Sequence, residues 1–203
     1  MKKIVYILLF IIIIVSEYFL LKSNLNLKQE ISQKNEYLEK QTTISTAYQS
    51  QFFENIDNCN TLIDKNLIIQ DSSYNNLKFS DILTQDYYLI LRYSDAYCGQ
   101  CVEHSISILM DNKEYFDFSK IIFLGSFLSK RNFILSKKMY NLIDYQLYNC
   151  QELNIPADKN MFPYYMIIDK NLKVIAVYFP TKSTHGTDFD FKNLKFLYDK
   201  FIN

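Results

Sequence analysis

Two cysteines three positions apart, Cys98-Gly99-Gln100-Cys101, are the residues of this 203-residue chain best placed to do chemistry. Tyr87 to Leu91 before them is a continuous apolar run, as expected of a central strand buried on both faces. Val102, Ile106, Leu109 and Met110 after them mark one face of a helix. The pair therefore sits where a buried strand ends and a helix begins, with Cys98 near the N-cap and Cys101 one turn on. Amides and dipole at a helix N-terminus stabilise a Cys98 thiolate, lowering its pKa from ~8.5 toward 7 or below. Cys101, deeper in the helix and less exposed, can attack a mixed disulfide on Cys98, release the partner and close a small ring. This is thiol–disulfide exchange, and it needs no organic cofactor and no metal.

The same residues admit other uses. A Cys-x-x-Cys pair can be half of a zinc site, with His104 as third ligand and Cys59 or Cys150 as fourth. No second Cys-x-x-Cys pair exists to complete it. Covalent haem attachment needs His at position 102, where this chain has Val102. His104 otherwise reads as an exposed helix residue and His185, beside Gly186, as loop. Cys59 and Cys150 are either separate thiols or a structural disulfide. Asp95, Glu103 and Glu114 read as solvated charges, and Pro156 as the edge of a loop.

The elements that must hold the pair follow from periodicity. Leu67 to Ile69 can be a first strand and Ile121 to Leu124 a second buried one. Ser129 can cap a helix whose inner face includes Phe133, Leu135, Met139 and Leu142. Tyr164 to Ile168 and Leu172 to Tyr178 form a hairpin around Asp169-Lys170-Asn171, with Asn171 able to take a positive φ. Asp188 or Asp190 caps a last helix with Phe191, Leu194, Leu197, Tyr198 and Phe201 facing inward. Strand–helix–strand–helix, then a hairpin and a helix, implies an α/β fold: a mixed sheet covered on both faces.

The run Leu89 to Cys101 resembles the active-site strand and Cys pair of the thioredoxin superfamily. Phe162-Pro163-Tyr164-Tyr165-Met166-Ile167-Ile168-Asp169-Lys170-Asn171 looks like that family's cis-proline loop and the hairpin after it. The resemblance covers about 60–203. It implies a thioredoxin-like mixed central sheet with helices on both faces. It also implies Cys98 as nucleophile, Cys101 as resolving thiol, and Pro163 as a cis-proline facing them. Phe162 would offer its backbone to an extended substrate peptide. The pattern departs from the family at Tyr97 (usually Trp), at Gln100 (usually Pro or His) and at Asn171 (usually Gly). Thioredoxin also carries a buried Asp six residues before its first Cys, where this chain has Arg92. Pointing inward, Arg92 would remove that proton relay and favour thiolate; pointing outward, it is a surface cation.

Composition narrows the function classes. Lys and Arg number 22, Asp and Glu 22, so the net charge is zero and no nucleic acid is expected as partner. Hydrophobic residues at 49% place the bulk among globular chains. At the N-terminus, Met1-Lys2-Lys3 precedes an apolar run over residues 4–21, broken only by Ser16 and Glu17. As a helix it spans roughly 27 Å, close to the ~30 Å hydrocarbon core. No A-x-A-like cleavage site follows, so residues 1–21 read as one uncleaved transmembrane helix, a signal-anchor; a cleaved signal peptide is the rival. The lysines favour a cytoplasmic N-terminus and an extracytoplasmic (periplasmic) domain. Residues 22–59, polar and without Gly or Pro, read as a helical stalk, and 60–203 as the thioredoxin-like domain.

With the anchor, the resemblance is closest to membrane-tethered, extracytoplasmic thiol–disulfide oxidoreductases of bacteria, the type associated with cytochrome maturation and envelope reduction. The expected partners are protein or peptide disulfide and thiol substrates and a membrane or envelope electron donor. Gly99-Gln100 carries no cation to stabilise the reduced form strongly, which favours a reductase. The alternatives are a tethered binding or scaffold module whose Cys pair is structural, and a zinc site.

Overall fold

The computed structural model describes the backbone of residues 2–181 and 186–203, and the side chains of Lys3, 14–181 and 188–203. The expected anchor falls mainly on 4–13, whose side chains lie outside the described residues, as does His185. Among the described residues no helix is long and apolar enough to cross a membrane. The first helix, α1, runs Lys2–Asn58. The chain divides into two compact units, 1–48 and 49–203. In the first unit the apolar residues Leu27, Ile31 and Leu38 are exposed along α1.

The second unit is a seven-stranded mixed sheet. In chain order its strands are β1 (Ile68–Gln70), β2 (Asn76–Lys78), β3 (Tyr87–Ser94), β4 (Ile121–Ser126), β5 (Leu147–Asn149), β6 (Tyr164–Asp169) and β7 (Val174–Tyr178). Their spatial order is β2-β1-β5-β4-β3-β6-β7. The pairs β3–β4 and β4–β5 are parallel; β3–β6 and β6–β7 are antiparallel. The helices are α2 (Gly99–Met110), α3 (Lys130–Met139) and α4 (Gly186–Phe201). A strand entering the Cys-x-x-Cys helix, a parallel neighbour, then a hairpin and a closing helix make this the mixed α/β arrangement that the element order implied, of the thioredoxin-like kind that the resemblance implied.

Alternation along β3, β4 and β6 separates two cores. Leu89, Leu91, Tyr93, Ile121, Phe123, Tyr165 and Ile167 face one side, packing on Val102 and Ile106 of α2, Phe133 of α3, and Leu194 and Tyr198 of α4. Tyr88, Ile90, Ile122, Leu124, Tyr164 and Met166 face the other, with Phe79, Leu153, Ile155 and Ala157. The helices α2, α3 and α4 thus all pack on the first side. The crossovers β3→β4 and β4→β5 step the same way across the sheet, and right-handedness puts α2 and α3 on one side. The opposite side is covered by a short turn at Phe79–Ile82, the segment 150–160 and the end of α1. There Asn55 Oδ1 accepts the Val177 amide (2.8 Å) and Asn58 Oδ1 the Ala157 amide (2.8 Å). Gln51 takes the Phe179 amide (3.1 Å), so amides at 51 and 55 cover the exposed edge of β7.

Several local expectations need revision. The Ser129 cap is present, its Oγ accepting the Asn132 amide at 3.2 Å. Yet α3 buries Phe133 and Ser136, while Leu135 and Met139 are 47% and 71% exposed, and Leu142 lies beyond the helix. Residues 133 and 135 are about 200° apart around a helix and cannot share a face. In the β6–β7 turn Leu172, not Asn171, has positive φ (65°). Asp169 Oδ1 fixes that turn by accepting the amides of Asn171 and Lys173. Neither aspartate caps α4: Asp188 is in its first turn and pairs with Lys192, and Asp190 is buried inside it. Beneath α3, a Cβ on Gly125 would lie 2.0 Å from the Phe127 ring, which Tyr93 and Phe133 hold at 5.7 and 5.2 Å between centroids.

Candidate functional site

The chain leaves β3 at Ser94, turns, and enters α2 at the end of the sheet where the parallel strands finish. Ser94 Oγ donates to the Ser126 carbonyl (3.1 Å) and accepts the Ala96 amide (3.1 Å), fixing the exit angle. Cys98 is the N-cap of α2. Its carbonyl accepts the amides of Cys101 (2.9 Å) and Val102 (3.0 Å), so Cys101 stands one turn on. Cys98 is exposed and Cys101 intermediate. A Cβ on Gly99 would meet nothing within 4 Å, so that glycine is not required by packing.

Phe162 and Pro163 reach the same end of the sheet. In the β3–β6 register Arg92 stands opposite Tyr164, which places the two preceding residues beside the exit of β3. Pro163 is buried and Phe162 exposed. The expected cis bond is not found: no described peptide bond is cis. The chain reverses at Met161, held at φ 55°, and enters β6 with the trans bond that X–Pro peptides favour.

Arg92 points inward and is 1% exposed. Its Nε donates to Asp158 Oδ1 (3.1 Å), Nη1 to the Cys150 carbonyl (2.7 Å) and Nη2 to the Gln151 carbonyl (2.8 Å). The Asp158 carboxylate also accepts the Tyr164 hydroxyl (2.6 Å) and the Leu153 amide (2.8 Å). Burial works against the guanidinium, but Asp158 together with Tyr164 and Cys150 outweighs it and the Arg92 pKa is raised. Its charge is therefore matched within the cluster and does not act on the cysteines as a lone cation. Burial foremost, then Asp158, pushes Tyr97 and Tyr164 upward. Burial pushes the Cys150 thiol up to about 11, against the lowering effect of Arg92. Between this cluster and the turn into α2 lies a polar cavity of about 580 Å³, lined by Arg92, Ser94, Tyr97, Gln151, Asp158 and Lys159.

On the other side of the turn, a largely apolar groove of about 320 Å³ runs between α2 and α3. Tyr93, Tyr97, Gly99, Asn132, Leu135 and Met139 line it. Tyr97 and Gly99 flank Cys98, so the groove starts at the first cysteine.

His104 is not an exposed helix residue. Its Nε2 lies 2.8 Å from Asp190 Oδ2, and Asp190 is fully buried. Asp190 Oδ1 accepts the Tyr178 hydroxyl (2.5 Å) and the Thr181 amide (3.0 Å). The network ties α2, one turn past Cys101, to α4 and the end of β7. His104 is also the third ligand of the alternative zinc set. The other ligands of that set are dispersed: Cys59 donates to the Ile175 carbonyl (3.1 Å) and Cys150 to that of Glu152 (3.5 Å). Among the described residues no three His, Cys, Asp or Glu form a metal-holding group.

Asp158, Asp190 and Tyr164 were not legible as site residues. Arg92 inside an apolar strand does announce that a carboxylate must reach it. Which carboxylate is a long-range fact, settled 66 residues later.

No protein-family model matches the chain, and no curated protein does. Solved structures similar to it include a proposed protein disulfide isomerase from Bacteroides thetaiotaomicron, at 13% identity and TM-score 0.49, over 72% of this chain and 91% of that one. The C-terminal domain of a proposed thiol-disulfide oxidoreductase from the same organism has 15% identity and TM-score 0.48, over 70% and 98%. Peroxidoxin BcpB from Mycobacterium tuberculosis has 14% identity and TM-score 0.47, over 70% and 99%.

Two outcomes are expected. Asp158→Ala leaves a buried guanidinium without its carboxylate, and urea unfolding should show a loss of about 3–5 kcal/mol. Cys150 titrates near its ordinary 9.0 when unfolded and near 11 when folded. The folded state holds this proton more tightly. The resulting stability, roughly 2–3 kcal/mol, is fully present below the unfolded value and is lost as pH rises through the folded one. Cys150→Ala should therefore lose less stability than the parent between pH 9.0 and about 11, measured by urea unfolding at both ends. Buried tyrosines contribute equally to both proteins.

Proposed function

We propose that this chain is an extracytoplasmic thiol–disulfide oxidoreductase, a reductase of disulfides in protein or peptide partners. The observation that supports it most is the placement of Cys98 as the exposed N-cap of α2, with the less exposed Cys101 one turn behind. At a helix N-cap a thiolate is stabilised by amides it faces without needing a separate base.

In the proposed cycle the Cys98 thiolate attacks one sulfur of the partner disulfide. That S–S bond breaks, a Cys98–partner bond forms, and the second partner sulfur leaves as a thiolate and takes a proton. Cys101, deprotonated, then attacks Cys98 Sγ. The mixed disulfide breaks, Cys98–Cys101 closes, and the partner leaves with two electrons and two protons. A dithiol donor at the membrane or envelope returns the pair to its reduced form by the reverse exchange. No organic cofactor takes part. Phe162, exposed beside the exit of β3, is the position where an extended partner segment would lie, and Pro163 carries no amide proton that could compete for the sulfurs.

The compartment belongs to the same proposal. Residues 4–21 would anchor the chain, with Lys2 and Lys3 on the cytoplasmic side and the domain outside.

Two measurements test this reading. Cys98→Ser should abolish disulfide reduction with dithiothreitol as donor, while Cys101→Ser should accumulate mixed disulfides visible on non-reducing gels. Full activity in the Cys98→Ser variant would sink the mechanism. The full chain should remain with membranes through carbonate washing and be digested from the outer side. A soluble mature chain beginning after residue 16 would exclude the anchor, and protection of the C-terminus would exclude the orientation.

A further inference from the structure

The exposed surface of α3 does not match a chain of zero net charge. Its ten residues carry Lys130, Arg131, Lys137 and Lys138 and no acid. No Asp or Glu occurs anywhere from Phe118 to Ile143. Lys130, Arg131 and Lys138 are exposed, and among the described residues none of the four helix cations is in an ion pair. Lys130 lies 5.0 Å from the centre of the Tyr74 ring, which satisfies only part of one charge.

The apolar residues of this surface are also outward. Leu128 is 84% exposed, and Leu135 and Met139 project from the helix rather than into the core. Exposed apolar residues scattered singly are ordinary, whereas a contiguous set beside a cleft marks a contact surface. Leu135 and Met139 form the α3 wall of the groove that starts at Cys98. The opposite wall is less basic. Asp95 Oδ2 accepts the Asn132 side-chain amide, Nδ2, at 2.6 Å, and Glu103 of α2 acts on Tyr140. The groove itself is thus lined by apolar and neutral polar side chains with Asp95 at the turn, and the cations of α3 lie outside its lining, on the exposed surface of the same helix.

We propose that this face docks the redox partner, and that the partner segment is acidic and apolar. Its apolar side chains would fill the groove, its Asp and Glu residues would lie along α3, and its disulfide would reach Cys98. Charge complementarity fixes the sign of the partner, and continuity of the groove with Tyr97 and Gly99 fixes the register. A concave groove accepts individual side chains, whereas a flat layer of lipid headgroups would leave it unfilled. The inference rests on Cys98 being the nucleophile.

The test uses the full chain in detergent and two synthetic peptides with the same Leu-rich segment. One is flanked by Asp and Glu, the other by Lys. Each is made as a disulfide and as an unreactive form with Ser in place of Cys. Binding of the Ser forms is read by fluorescence anisotropy, and exchange of the disulfide forms by stopped flow. The acidic peptide should bind more tightly and exchange about tenfold or more faster at low salt. That gap should collapse as the Debye length shortens from about 30 Å to about 8 Å. Arg131→Glu with Lys138→Glu should reverse the preference and leave the rate with the small neutral hydroxyethyl disulfide unchanged. Equal affinities of the two Ser peptides, or a preference that survives charge reversal, would overturn the proposal. So would equal peptide affinities together with weaker binding of the reversed variant to phosphatidylglycerol vesicles, which would make the face a lipid contact. Acid-selective binding of the Ser peptide without exchange of any disulfide would support the docking surface and overturn the redox reading alone.

Discussion

A guanidinium that cannot lose its proton is buried on the central strand, and the second face of the sheet is organised around that fact. Arg92 is 1% exposed, and an uncompensated charge there would cost several kcal/mol. Its partner, Asp158, comes from the segment joining β5 to β6. The same segment supplies the Cys150 and Gln151 carbonyls, and the same carboxylate takes the Leu153 amide and the Tyr164 hydroxyl. These bonds set the path by which the chain crosses the sheet and re-enters beside β3. They therefore set where Phe162 and Pro163 emerge relative to Cys98. A buried ion pair adds little net stability over a well-packed apolar substitute, but breaking it is costly, so its main effect is to exclude other routes for this segment.

The helix face has its own buried carboxylate, and it restrains the Cys helix from the side. Asp190 on α4 meets His104 of α2 and the Tyr178 hydroxyl at the end of β7. The Tyr165 hydroxyl of β6 donates to the Ser105 carbonyl, a second tie between α2 and the sheet. α2 is thus fixed by hydrogen bonds from α4 and β6 within one turn of Cys101. Its first turn, by contrast, carries Cys98 into solvent. Exchange between two sulfurs three residues apart needs this combination: a backbone that keeps the pair in reach, and one sulfur that a partner can approach.

What could be read from the chain was what local pattern determines. The apolar runs at β3, β4, β6 and β7, the Ser129 cap and the strand-to-helix position of the Cys pair all follow from periods of 2 and 3.6 and from cap chemistry. The strands β2 and β5 escaped because three residues are too few to show alternation, and Leu147 to Asn149 is held only by its neighbours. The inner face of α3 was misread because hydrophobicity was followed instead of angle. Phe133, Ser136 and Tyr140 are the positions at i, i+3 and i+7, and a buried serine is invisible to hydropathy. Its burial is possible because the Tyr93 hydroxyl reaches its Oγ at 3.3 Å. His104 was misread, and the direction of Arg92 stayed open, for a different reason. A charged or titratable side chain shows that it needs a partner, but the partners stand 66 and 86 residues away and become neighbours only in the fold.

Those two long-range pairs also decide which charges are left to act at the mouth of the site. Arg92 is matched by Asp158, and Asp190 is satisfied by His104, Tyr178 and Thr181. Neither offers a lone charge to the cysteines. Beside Cys98 stand the amides at the start of α2, whose effect is confined to about one turn, and farther out the exposed charges of α3, Asp95 and Glu103. The first is fixed by the backbone and, in the proposed mechanism, would act alike on every partner. The second is long-ranged, screened by salt and sensitive to the sign of what approaches. In the proposed mechanism, reactivity and partner selection are therefore separable. The dipeptide between the cysteines, with Gly99 in open space, bears on the first; the surface of α3, formed without packing constraint on its cations, bears on the second.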